Sequence, residues 1–189
     1  MGDMIKHAHK APGSNPGQSI FNNNGDYQNN MIGIISDTHE NEQAMKKAVE
    51  AFKERNVEFV VHCGDIISPP MLEYFKELKM KFVLGNNDGE VAGLNIKAKE
   101  FGFEPVTEEK EFEYKGKLFY VYHGTIRGKL ETAIKSNKYD YVLTGHTHLK
   151  RDEKAGKTRI INPGALFRIT PYTIALLDIE NDKLEYVII

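Results

Sequence analysis

Imidazole and carboxylate side chains recur along this chain in five short clusters. They are Ser36-Asp37-Thr38-His39, His62-Cys63-Gly64-Asp65, Gly85-Asn86-Asn87-Asp88, His123-Gly124 and Gly145-His146-Thr147-His148. Five of the seven histidines lie in them. Asp37, His39, Asp65, Asn86, His123, His146 and His148 together form a mixed oxygen and nitrogen donor set with no thiolate. Such a set suits Mn, Fe, Ni or Zn better than an all-oxygen Ca site. Seven donors exceed what one tetrahedral ion accepts, but they suit two ions bridged by a carboxylate. The chemistry open to such a pair is stabilisation of both the attacking and the leaving oxygen of an in-line displacement.

These residues can meet only if the chain brings their backbones together, and the apolar pattern indicates how. Met31–Ile35 is a continuous apolar run, as expected of a strand buried on both faces. Residues 57–61 and 81–84 read the same way. Residues 43–55 show helical spacing through Ala44, Ala48, Ala51 and Phe52. Met71, Leu72, Phe75 and Leu78 repeat at helical spacing, and residues 94–101 form a further helix ending at Gly102. Strand, helix, strand, helix, strand argues for parallel βαβ units. In the second half, residues 111–114 and 118–122 flank Lys115-Gly116-Lys117, a hairpin signal. Residues 129–135 read as a helix; Tyr141–Leu143, residues 159–161, Thr173–Asp178 and residues 184–188 read as strands. Pairing there is expected to be richer in antiparallel strands, around one core.

Ligands of open parallel sheets bind beyond the carboxyl ends of the strands. Four of the clusters sit where an apolar run stops, and His123 follows or ends the run before it. Gly64, Gly85, Gly124 and Gly145 allow sharp turns and close approach beside them.

Composition sets the limits. The 189 residues suffice for one domain, with 40% hydrophobic residues. The 25 basic and 27 acidic side chains nearly cancel, so no charge footprint for nucleic acid is present. The single Cys63 excludes an internal disulfide and fits a reducing, cytoplasmic setting. No run approaches a membrane span, and no secretory signal is expected. Residues 1–30 are rich in Asn, Gly and Pro and too poor in large apolar groups to offset their ordering entropy. They read as a disordered leader or, with His7 and His9, a purification tag. Met31 is then the natural start and residues 31–189 the domain.

Taken in order, Asp37-Thr38-His39, Gly64-Asp65, Gly85-Asn86-Asn87-Asp88, His123-Gly124 and Gly145-His146-Thr147-His148 resemble the calcineurin-like metallophosphoesterases, in particular their small phosphodiesterase branch, where Asn162-Pro163-Gly164 also recurs. The resemblance covers residues 31–189. It implies a four-layer α/β/β/α sandwich, two mixed sheets flanked by helices. It further implies hydrolysis of a small phosphodiester by a hydroxide held between two divalent transition-metal ions, with Mn the first candidate and Ni, Fe or Zn the others. Asp37, His39 and His148 would hold one ion, Asn86, His123 and His146 the second, and Asp65 would bridge. Many members carry His where this chain has Asn87, so Asn87 would contact phosphate but could not deliver a proton. The same fold also serves as a protein-binding scaffold in the retromer subunit of vacuolar sorting. That subunit has lost some of the histidines kept here.

Three positions remain open in the sequence. His62 either orients the site from behind or is a buried strand residue. Arg127 either reaches a phosphate oxygen or is solvated at a helix start. Cys63 reads as a small buried hydrophobe. The strand ending in Tyr186–Ile189 could pair across a homo-oligomer interface.

Overall fold

The computed structural model describes residues 20–21, 27–28 and 30–189. Ile20–Phe21 (β1) pairs antiparallel with Tyr27–Gln28 (β2). The rest of the expected leader, His7 and His9 included, lies outside the described residues.

From Met31 onward the chain builds two mixed five-stranded sheets. Met31–Ile35 (β3), Phe59–His62 (β4) and Met80–Phe82 (β5) are parallel, and their apolar side chains are buried on both faces. Thr173–Asp178 (β11) joins β3 antiparallel and Lys183–Ile188 (β12) closes that edge. The second sheet runs Glu109–Tyr114 (β6), Lys117–Tyr122 (β7), Tyr141–Leu143 (β8), Thr158–Asn162 (β10) and Arg151–Ala155 (β9). Its three central strands β7, β8 and β10 are parallel.

Alternation of side chains across these strands produces layers. Ile32, Ile34 and Val61 of one sheet meet Phe119, Val121, Leu143 and Ile161 of the other. The opposite face of the first sheet, with Ile35, Val60 and Leu176, is covered by the helices Glu42–Glu54 (α1) and Val91–Glu100 (α2) and by a 3-10 helix, Pro69–Phe75. Helix α1 turns Ala44, Met45, Ala48, Val49 and Phe52 inward at helical spacing, and the Asn41 side chain caps it by accepting from the Ala44 N–H at 3.2 Å. The outer face of the second sheet, with Tyr120, Val142 and Ile160, is covered by Arg127–Lys135 (α3). This is the expected α/β/β/α sandwich, but one core was expected and three apolar clusters are found, one for each pair of adjoining layers.

Other departures have local causes. β9 (Arg-Asp-Glu-Lys-Ala) carries no apolar alternation and was invisible as a strand; it lies at a sheet edge, where charge discourages pairing with another chain. The segment starting at Pro69 is 3-10, with Pro69 and Pro70 in its first turn, where no intrahelical donor is needed. The second half is more parallel than expected, since α3 carries the chain back from β7 to β8.

Arg159 on β10 links the two sheets. Its guanidinium grips both oxygens of Asp152, at 2.7 and 2.8 Å, and donates to Asp182 in the β11–β12 turn, at 2.6 Å. With Arg159 only 9% exposed, these charge-assisted bonds are poorly replaced by water. Arg159→Leu is expected to cost about 2–3 kcal/mol of unfolding free energy in a urea titration. Unchanged stability would show that apolar packing alone holds the sheets together.

Candidate metal centre

All seven candidate ligands lie just past the carboxyl ends of parallel strands. Asp37 and His39 follow β3, Asp65 follows β4, Asn86 follows β5, His123 follows β7, and His146 and His148 follow β8. Five of the seven, Asp37, His39, Asp65, His146 and His148, hold left-handed backbone (φ 46 to 67°). That conformation is uncommon for residues other than glycine and concentrates at functional sites. Here it folds each loop back so that the side chain points across the sheet ends.

The orientation of each donor is fixed from behind. Asp37 Oδ2 accepts from the Ser36 hydroxyl at 2.6 Å and from the His146 N–H at 3.1 Å. His123 Nδ1 faces the Cys63 carbonyl at 2.7 Å, which places a proton on Nδ1 and turns Nε2 inward. The inward atoms then lack partners: Asp37 Oδ1, His39 Nε2 and His123 Nε2 are buried with no hydrogen bond. Buried polar groups are otherwise nearly always bonded. Three orphaned donor atoms facing one point fit divalent ions.

Distances group the donors. Asp37, His39 and His148 have ligand atoms within 4.8 Å of one another, and so do Asp37, Asp65 and His123. Asp65 Oδ2 lies 3.7 Å from His39 Nε2 and 3.5 Å from His123 Nε2, between the two histidines. Asp37 Oδ1 lies 3.2 Å from His148 Nε2 and 3.9 Å from His123 Nε2. Asn86 and His146 stand farther out, hydrogen-bonded to each other at 2.9 Å, with the His146 ring 5.2 Å from that of His123. Asn87 is committed to Asp65: its N–H donates to Oδ1 at 2.9 Å and its side-chain amide to Oδ2 at 2.7 Å.

Two glycines make these approaches possible. A Cβ on Gly85 would stand 2.1 Å from Asp65 Oδ1, and one on Gly145 would stand 1.9 Å from Ser36 Oγ. Neither loop could carry a side chain there.

Charge is unevenly shared. Burial raises the Asp37 carboxyl above its ordinary range despite the nearby imidazoles. Burial also works against Asp65, but contact with His123 and the Asn87 bonds outweigh it and hold that carboxyl well below its usual value. His123 moves up, as the two carboxylates overcome its burial, whereas His39 moves down mainly through burial.

The calcineurin-like phosphoesterase superfamily domain matches residues 31–182. The phosphodiesterase MJ0936 of Methanocaldococcus jannaschii is 36% identical over 163 residues, covering 84% of this chain and 98% of the relative.

The chain belongs to the calcineurin-like phosphoesterase superfamily.

It is a metal-dependent phosphoesterase of that superfamily, whose members use divalent metals. A solved archaeal phosphodiesterase superposes with a TM-score of 0.78 at 36% identity, covering 84% of this chain and 99% of that one. Zinc-complexed Vps29 of Entamoeba histolytica has a TM-score of 0.60 at 17% identity, covering 84% and 98%, and shows the fold alone.

In this phosphoesterase, several residues support the donors without facing the site. His62 is fully buried beneath the Asp37–His39 and Asp65 loops. Its Nδ1 accepts from the Gly64 N–H at 3.2 Å, so the proton sits on Nε2 and points at the Thr38 hydroxyl 3.0 Å away. Asp88 was quoted in its cluster without a role. Its carboxylate accepts from the N–H groups of Asp65, Ile67 and Gly85, at 3.0, 2.6 and 2.7 Å, and ties the Asp65 and Asn86 loops together. Asn162 supports the site through its side chain as well as its turn, donating to the Gly145 carbonyl at 2.8 Å. Cys63 is buried with its thiol pushed up by burial, as an inert residue should be.

Arg127 does not reach the donors. Its side chain is 91% exposed and pairs with Glu131 at 2.7 Å one turn along α3. The aromatic wall of the site is Phe167, stacked on His39 with ring centroids 4.0 Å apart, and over it sits Arg168, 5.1 Å from the ring. Sequence reasoning passed over both. Their one signal was position, just after Asn162-Pro163-Gly164.

Burial takes the His62 pKa from 6.5 down to about 3. Above the unfolded value both states are neutral there and this group has no effect. As pH falls from 6.5 toward 3 the unfolded chain gains a proton that the native state refuses, so stability is lost by up to about 1.4 kcal/mol per pH unit. His62→Gln keeps a donor and an acceptor but does not titrate. Urea titrations between pH 7 and 4 should show a shallower loss for this variant than for wild type, and parallel curves would refute a neutral buried His62.

Proposed function

We propose that this phosphoesterase hydrolyses small phosphodiesters at a pair of divalent metal ions. The convergence of the orphaned Asp37 Oδ1, His39 Nε2 and His123 Nε2 around Asp65 carries this reading. Asp37, His39 and His148 would hold one ion and Asn86, His123 and His146 the other. Asp65 would bridge, since one of its oxygens stands between a histidine of each group. Ions there would supply Lewis acidity toward the phosphate and toward an attacking water. The donor set accepts several ions, with Mn the first to try and Ni, Fe or Zn the alternatives.

The chain's own residues divide the remaining work. Ser36 and the His146 N–H hold Asp37 so that a single oxygen faces inward. The Cys63 carbonyl holds the His123 tautomer. Asn87, on Asp65 in this structure, can also donate a hydrogen bond to a phosphate oxygen. It has no proton to give, so the leaving group must depart as a stable anion. This favours aryl diesters over alkyl monoesters. The name of the relative MJ0936, a phosphodiesterase, agrees with a diester substrate. The near-neutral net charge of -2 argues for a small substrate in place of nucleic acid.

Chelation should abolish hydrolysis of bis(p-nitrophenyl) phosphate and Mn should restore it. Asp65→Ala should lower kcat by roughly 10²- to 10³-fold, the scale lost when transition-state charge stabilisation is removed. Bound metal below one ion per chain, with no activity under any of the four ions, would sink the two-metal reading. A faster rate on alkyl monoesters than on aryl diesters would overturn the role given to Asn87.

A further inference from the structure

Beside the donors lies a recess of about 400 Å³ lined by His39, Glu40, Asn41, Ile67, Phe167 and Tyr172. That is the size of a small-ligand pocket. Its walls divide in two. Ile67, Phe167 and Tyr172 form an apolar side, and Phe167 reaches the donors directly through its stacking on His39. Glu40, held by the Ser68 hydroxyl at 3.0 Å, is the carboxylate of its lining, and no lysine or arginine lines the recess. A carboxylate without a cation repels a phosphate. The recess therefore suits an uncharged part of the substrate, joined to a phosphate at the donors.

A positive charge stands over the Phe167 ring. Arg55, Arg127, Arg151 and Arg159 each bond a carboxylate. Arg168 has no carboxylate partner among the described residues, and its guanidinium lies 5.1 Å from the Phe167 ring. It also holds left-handed backbone (φ 62°), a conformation shared with the donors.

We propose that the recess between His39, Phe167 and Tyr172 seats a planar aromatic ester group of the substrate while Arg168 holds an oxygen of the attached phosphate. The inference rests on the phosphodiesterase reading and names its substrate class: phosphodiesters bearing an aryl ring or a nucleobase. Phe167 and Arg168 are then binding residues that set specificity. Phe167 also packs one donor, His39, in place.

Calorimetric titration of the Mn-loaded protein tests this without turnover. Phenylphosphonate should bind about tenfold more tightly than methylphosphonate, the scale of one buried aromatic contact. Tyr172→Ala and Phe167→Leu should bring that ratio close to one; the leucine keeps apolar bulk, and metal content at the wild-type level certifies the fold. Arg168→Met should weaken both phosphonates by about tenfold and keep their ratio, as loss of a charge-assisted bond would. A nucleoside 5′-phosphonate that binds more tightly than phenylphosphonate assigns the seat to a nucleobase; weaker binding assigns it to a simple aryl ring, and both keep the aromatic seat. Equal affinity of wild type for the two simple phosphonates, with metal bound, overturns the recess and leaves the metal reading standing. Absence of both metal and phosphonate binding overturns the two together.

Discussion

Two carboxylates buried side by side set the terms for this protein. Asp37 and Asp65 are 0% and 1% exposed; Asp37 lies beside His123 and His148, and Asp65 beside His39 and His123. Like charges out of water are expensive unless positive charge is brought to them. Imidazoles meet part of that need, and His123 is pulled toward its charged form by both carboxylates. Divalent ions held there would meet the rest. The hydrogen bonds behind the donors, from Ser36 and the His146 N–H to Asp37 and from His123 Nδ1 to the Cys63 carbonyl, keep the arrangement from relaxing by rotation.

The architecture follows from where such a cluster can be built. Parallel strands end together, so loops leaving β3, β4 and β5 on one sheet and β7 and β8 on the other converge on the same rim. Left-handed backbone at five donors turns the loops inward, and Asp88 and Asn162 bind neighbouring loops so that the turns cannot drift apart. Asp88 holds the Asp65 N–H and so helps place that loop, though it is not one of the candidate donors.

Much of this was legible in the chain. The buried parallel strands read as apolar runs, and the clusters marked their ends. The order of the clusters identified the family and with it the sandwich. What stayed hidden depends on partners distant in sequence. β9 is a strand because β10 offers it an edge, not because Arg-Asp-Glu-Lys-Ala has any strand pattern. Arg127, three residues past Gly124, could by sequence reach a phosphate oxygen, but helix α3 turns it toward Glu131. Phe167 and Arg168 gained importance only when the loop after Asn162 was seen to fold against His39. The side chain of Asn87 is recognisable in sequence as a missing imidazole, but its hold on Asp65 is a fact of geometry.

Division of the donors between the sheets has a consequence for how the molecule comes into being. Asp37, His39, Asp65 and Asn86 issue from the first sheet, and His123, His146 and His148 from the second. Each compact set of three includes at least one histidine of the second sheet. A half-made chain emerging from the ribosome, with β3 to β5 complete, therefore owns two aspartates and an asparagine but only one of the four histidines. Neither half alone would offer an ion a complete compact set. An ion held by either set would then be captured only after the sheets have docked face to face, as a seal on a finished sandwich and not as a nucleus for it.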